Sequence, residues 1–143
     1  MPAIAIEQPS ETDIEIIHAV LRESYWSPGI PRNVVARACA NSMCAIARDE
    51  SGKLIGFARL VTDKATFAWL CDVIVLPGRQ GKGLGRALVQ TFQRHPELQG
   101  LRRWLLGTKD AHGVYAPLGF TPLSAPDRFM EVRDPTPYGR ETS

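Results

Sequence analysis

Three glycines at alternate positions, Gly81, Gly83 and Gly85, lie where an apolar, β-prone run gives way to an amphipathic one, with Lys82 and Arg86 beside them. A strand-to-helix turn of this composition exposes backbone N–H groups at the positive end of a helix and lets an anion approach the main chain closely. The two cations suit a diphosphate better than a neutral ligand. A plainer account is that the glycines serve only a tight turn and close helix packing. Two other phosphate loops do not fit. A Walker loop requires Gly-Lys followed by Ser or Thr, whereas Gly81-Lys82 is followed by Gly83, leaving no hydroxyl for magnesium. The dinucleotide fingerprint requires glycine where Arg86 stands.

Other side chains capable of chemistry are scattered. Asp72 interrupts an apolar run between Cys71 and Val73, so it sits at an edge, is paired with a base, or points into a cleft. Tyr115 brings a phenolic proton just before Pro117 and Gly119, or else is an aromatic packing residue with a satisfied hydroxyl. His112 is close enough in sequence to share its site, although a lone histidine near a helix start also serves as a cap or a surface residue. Tyr25 and Trp26 precede Pro28, Gly29 and Pro31, where aromatics either line a pocket or pack a rim.

The elements that position these groups follow from periodicity. Residues 3–7 read as a first strand, and Ser10-Glu11-Thr12-Asp13 supplies a hydroxyl cap and acidic first turn for a helix with Ile14, Ile17 and Leu21 on one face. Pro31 suits the first turn of a second helix to about Asn41, with Val34, Val35 and Ala38 inward. Residues 43–48, 54–61 and 67–76 are strands joined by short connections, which favours an antiparallel meander. Leu84, Leu88 and Phe92 recur every four residues, predicting a helix over 83–94 that His95-Pro96 ends. Residues 101–107 form a fifth strand, which a helical crossover places parallel to 67–76. Asp110 then caps a brief helix ending near Tyr115, residues 129–132 add a last strand, and the tail 134–143 is expected to be poorly ordered. Arg102-Arg103-Trp104 opens a half-buried strand and reads as a solvated edge.

At 143 residues and 44% hydrophobic composition the chain suits one domain, with no repeat or linker. Its 17 basic and 15 acidic residues leave a net charge of +2, too small for nucleic acid as the main ligand. No leader-like segment or long apolar stretch is present, so neither secretion nor membrane spanning is expected, and a cytoplasmic location is. Cys39, Cys44 and Cys71 lack the paired spacing of a zinc site, and no metal is expected.

The run Val73-Ile74-Val75-Leu76-Pro77-Gly78-Arg79-Gln80-Gly81-Lys82-Gly83-Leu84-Gly85-Arg86-Ala87-Leu88 resembles the acetyl-CoA-binding motif of the GNAT superfamily of N-acetyltransferases, whose Gln/Arg-x-x-Gly-x-Gly/Ala pattern Gln80, Gly83 and Gly85 meet. Downstream, Tyr115-Ala116-Pro117-Leu118-Gly119-Phe120 is similar to that family's Tyr-x-x-x-Gly-Phe segment. The element order also resembles that fold across nearly the whole chain.

The resemblance implies an α/β GNAT-like fold with a mixed, mostly antiparallel sheet of six or seven strands and about four helices, strands four and five parallel and splayed around the cofactor. It implies acetyl-CoA as acyl donor, with the strand Val73-Ile74-Val75 meeting the pantetheine arm and Gln80, Gly81, Lys82, Gly83, Leu84, Gly85 and Arg86 meeting the pyrophosphate. It implies that Tyr115 protonates the departing sulfur and that a backbone N–H near Val73 faces the developing oxyanion. Asp72, His112 or a water relay would serve as base. Tyr25, Trp26 and His112 would border the acceptor, a primary amine of a small molecule or protein, and late strands would pair in a homodimer. The chain departs from the family where many members carry an Asn about seven residues ahead of the tyrosine; residues 108–114 have none, and that contact is left unassigned. The non-enzymatic alternative is an acyl-CoA-binding sensor or partner-binding module.

Overall fold

The computed structural model describes residues 2–138. Strand β1 (Ala3–Ile6) leads into helix α1 (Glu11–Leu21) and helix α2 (Arg32–Ala40). Strands β2 (Met43–Arg48), β3 (Leu54–Thr62) and β4 (Phe67–Val75) follow, then helix α3 (Leu84–Gln93), strand β5 (Arg103–Leu106) and the single-turn helix α4 (His112–Tyr115). The strands form one sheet in the order β1-β2-β3-β4-β5, antiparallel except for the parallel β4–β5 pair. Among the described residues there are thus five strands, not the six or seven expected.

The missing strand is the one anticipated over 129–132. That segment is irregular, with Met130 and Val132 fully solvent-exposed. The expected disorder of the tail falls partly on residues 139–143, outside the described residues; Tyr138 itself packs against the core beneath α1 and α2.

Local chemistry explains the first helix. Ser10 Oγ accepts from the Asp13 amide at 3.1 Å while the Asp13 carboxylate accepts from the Ser10 amide at 2.9 Å, a reciprocal capping box. Asp13 also receives two bonds from the Arg48 guanidinium, at 3.0 and 2.8 Å, tying α1 to the end of β2. Those bonds hold the Asp13 carboxyl below the usual carboxylate range.

Helices cover both faces of the sheet. Ile14, Ile17 and Leu21 of α1 and Val35 and Cys39 of α2 bury against Ile46, Phe57 and Ile74. On the other face, Leu84, Leu88 and Phe92 of α3 pack over Ala45, Ala47, Ala58 and Leu70. Small residues allow α3 to lie close: a Cβ on Gly56 would stand 3.2 Å from both Leu84 Cδ2 and Leu88 Cδ1. Gly56 therefore sets how closely the start of α3 lies on β3.

An irregularity in β4 re-aims its side chains. The β3–β4 register slips between Arg59 and Leu60, leaving Cys71 as an extra residue. Before it, Ala68 and Leu70 face α3; after it, Val73 and Val75 do, and Ile74 joins the opposite core. Among the described residues no helix is long and apolar enough to cross a membrane.

Candidate active site

β4 and β5 pair only between Phe67–Leu70 and Arg103–Leu106. β4 continues to Val75 whereas β5 has ended, so residues 71–75 keep an edge without a neighbouring strand, and a wedge opens at the carboxyl ends of the two parallel strands. Unpaired main-chain groups along such an edge are available to an extended ligand. Ile74 is buried and Val73 and Val75 pack toward α3, so these residues can offer a ligand little but their backbone.

The glycine turn closes the top of this wedge. Gly78, Gly81 and Gly83 adopt φ of 86°, 78° and 80°, left-handed conformations that favour glycine, and Gly83 is the N-cap of α3. Unlike α1, α3 has neither a side-chain cap nor an acidic residue in its first turn. Its leading amides and the positive end of its dipole therefore face solvent together with Lys82 and Arg86, which have no acidic partner among the described residues. Gln80 holds the approach, its Nε2 donating to the Val75 carbonyl at 3.1 Å. The buried Leu84 side chain leaves only its amide for a ligand, and Gly85 keeps the first turn clear above Val73 and Val75.

Beside the unpaired half of β4 lies a cleft of about 790 Å³ lined by the α1–α2 connection, β4 and the segment after β5. Tyr25, Trp26, Asp72, Val73 and Tyr115 all border it. His112 does not: it lines a separate groove of about 840 Å³ between β5 and the chain after α4, which Tyr115 also borders. Nor does Asp110 cap α4. Ala111 holds the N-cap position without a side-chain bond, and its amide donates to Thr108 Oγ1 at 3.1 Å.

Asp72 is buried, and both of its oxygens are engaged. Oδ2 accepts from Arg59 Nε at 2.7 Å, directly across the β3–β4 pair, and Oδ1 accepts from Trp26 Nε1 at 2.9 Å. Arg59 in turn donates to Ser42 Oγ at 3.1 Å. Asp72 thus combines the three settings the sequence left open: it lies on the unpaired edge, pairs with a base and lines the cleft. A further bond spans the mouth: the Lys109 amide donates to the Tyr25 hydroxyl at 3.2 Å, with Lys109 Nζ 5.6 Å from the centre of the same ring.

Tyr115 is half-buried at the end of α4, edge-on to Phe120 with ring centres 6.0 Å apart. Its hydroxyl makes no hydrogen bond among the described residues. Burial, with Tyr25 nearby, pushes its pKa above the usual 10, so it retains its proton at neutral pH. Sequence reasoning did not find Arg59, Trp69, Lys109 or Tyr138, which also line the cleft. Arg59 had left a signal, a charge inside an apolar strand; the other three had left none.

A family model described as the acetyltransferase (GNAT) family matches residues 14–120. The chain belongs to the GNAT family. A GNAT-family protein from Xanthomonas campestris pv. campestris is 42% identical, with a TM-score of 0.89 over 97% of this chain and 99% of that one. A Gibberella zeae protein bearing an acetyltransferase name is 30% identical over 124 residues, 71% of this chain and 69% of its own length. The aminoglycoside N-acetyltransferase AAC(6')-Iy, solved with CoA, shares the GNAT fold at 22% identity and a TM-score of 0.66, over 94% of this chain and 96% of its own. These relationships make the protein an acyltransferase of the GNAT type.

Proposed function

We propose that this chain is an N-acetyltransferase that moves the acetyl group of acetyl-CoA to a primary amine lodged in the Tyr25–Trp26 cleft. The observation that carries the proposal is the uncapped N-terminus of α3, with its left-handed glycines and two cations, packed through Gly85 against the unpaired half of β4, whose Asp72 and Val73 line the cleft that Tyr115 borders. The chain's residues fit a long ligand that is anionic at one end and acylated at the other. Amides of Gly81 to Arg86 and the Lys82 and Arg86 side chains would hold the diphosphate. The free edge of Val73, Ile74 and Val75 would pair with the amide groups of the arm. That the same fold carries CoA in AAC(6')-Iy supports this placement.

Bound acetyl-CoA supplies an acyl group already activated as a thioester. Tyr115, neutral and without a competing hydrogen bond, holds the proton that the sulfur needs as it leaves. Asp72 acts as a positioning residue, since its two bonds fix Arg59 and the Trp26 indole. His112 lines the other groove and both Asp72 oxygens are held by Arg59 and Trp26, which supports water as the group that takes the amine's proton.

Calorimetric titration with acetyl-CoA, using ATP and NAD as controls, tests the reading. Selective binding of acetyl-CoA is expected. Equal binding of ATP would mean that the turn holds phosphate without the rest of the wedge contributing.

A further inference from the structure

We infer that the acceptor is a primary amine carried on a flat apolar body, an arylalkylamine, and not a polycation such as a polyamine or an aminoglycoside. This inference rests on the proposed acetyl transfer and names the substrate class of the same cleft.

The first observation is where exposed apolar surface collects. Tyr25 is 56% exposed, Trp26 44%, Val61 40% and Trp69 48%, and all four border the one cleft. Scattered apolar side chains on a surface need no explanation, but several converging on one concavity mark a ligand site. The extra residue at Cys71 contributes to this convergence. Trp69 and Asp72, three apart, would face opposite sides of a regular strand, yet both line the cleft.

The second observation is that the polar ends of Tyr25 and Trp26 are engaged within the protein. The Trp26 N–H is spent on Asp72, and the Tyr25 hydroxyl already accepts from the Lys109 amide. Trp26 and Tyr25 also fix each other edge-to-face, with ring centres 5.1 Å apart at 81°. The wall therefore presents ring surface in a set orientation, suited to another ring.

The third is charge. The charged groups of the cleft are Arg59 and Asp72, which neutralise each other, and Lys109 and Asp110, one of each sign, on the segment after β5. A ligand bearing several ammonium groups would find one carboxylate there, Asp110 with the cationic Lys109 beside it in sequence, and its remaining ammonium groups would be desolvated without a partner. An arylalkylamine needs only one amine, which reacts as the neutral base. In the transfer one C–N bond forms as the thioester C–S bond breaks. The amine loses one proton and the sulfur gains one through Tyr115, so the products are the N-acetyl amine and free CoA.

The test compares tryptamine and 2-phenylethylamine with spermidine and kanamycin in a thiol-release assay, for the wild-type protein and for Trp69→Leu. Because Trp69 is about half exposed, its replacement is expected to leave the melting temperature unchanged. The expected result is a kcat/KM at least about tenfold higher for the aryl amines, with Trp69→Leu raising their KM about tenfold at nearly constant kcat. Equal or higher kcat/KM for the polycations would overturn the substrate class while leaving acetyl transfer standing. Thiol release by none of the amines, from protein that binds acetyl-CoA, would overturn both.

Discussion

Replacing Gly83 by aspartate separates the stability of α3 from its capacity to bind an anion. Gly83 is the N-cap of α3 and sits at φ 80°, ψ 9°. Holding a side chain in that left-handed conformation costs about 1–2 kcal/mol. Against that cost, an aspartate at an N-cap contributes about 1 kcal/mol by accepting from the first helix amides, and its charge favours the positive helix end by roughly 0.3–1 kcal/mol. The net change in stability is therefore within about 1 kcal/mol. The change in affinity is larger. The new carboxylate occupies amides meant for the diphosphate, and each lost charge-assisted bond is worth about 1.5–3 kcal/mol. At about 5 Å, repulsion between unit charges adds roughly 1–3 kcal/mol for an effective dielectric between water and the protein surface. Together these raise the Kd for acetyl-CoA by about 10² to 10⁴. Calorimetry beside thermal unfolding reads both quantities. An unchanged Kd in a folded variant would refute the placement of the diphosphate on α3, and Gly83→Ala, which adds strain without charge, isolates the backbone contribution.

Tyr115→Phe should lower kcat about 100-fold with the acetyl-CoA Kd unchanged, as steady-state kinetics and calorimetry would report. Because burial raises the Tyr115 pKa, its proton stays in place as the acceptor amine deprotonates, so kcat/KM should climb with pH and not turn down below about pH 10; a fall near pH 8 in the rate profile would contradict this. Asp72→Ala should cost up to about 3 kcal/mol in denaturant unfolding by leaving the partly buried Arg59 unpaired, and Asp72→Asn should preserve the Trp26 bond and its fluorescence. The lowered carboxyl pKa of Asp13, caused first by its bond to Arg48, contributes stability that is fully present above the ordinary value of 3.8 and lost as pH falls through the lowered one. Asp13→Asn should therefore lower stability near neutrality, with the gap to wild type closing in strong acid in an unfolding series.

What the sequence conveyed was local. The Ser10 cap, the meander and the α3 face depend on neighbours within a few residues, and each lies where its pattern placed it. The glycine turn was readable for the same reason, although its lack of a cap needed coordinates to see. The strand anticipated at 129–132 failed because the strand-prone Phe129, Met130 and Val132 supply no partner edge. Asp110 lost its expected capping role because Ala111 takes the N-cap position of α4 without a side-chain bond, its own amide donating to Thr108 Oγ1. Arg59 was visible as an oddity, but its partner depended on cross-strand register. Trp69 was hidden more deeply, because the extra residue at Cys71 reverses which strand positions share a face. His112, one turn from Tyr115 in sequence, faces the other groove because α4 has only a single turn between the two cavities.

The central claim is tested most directly by incubating the purified protein with acetyl-CoA and 2-phenylethylamine and measuring free CoA thiol and N-acetylated amine together. The account predicts that both appear in one-to-one ratio and that thiol release is negligible without amine. Thiol release independent of the amine, or none in its presence, would contradict it.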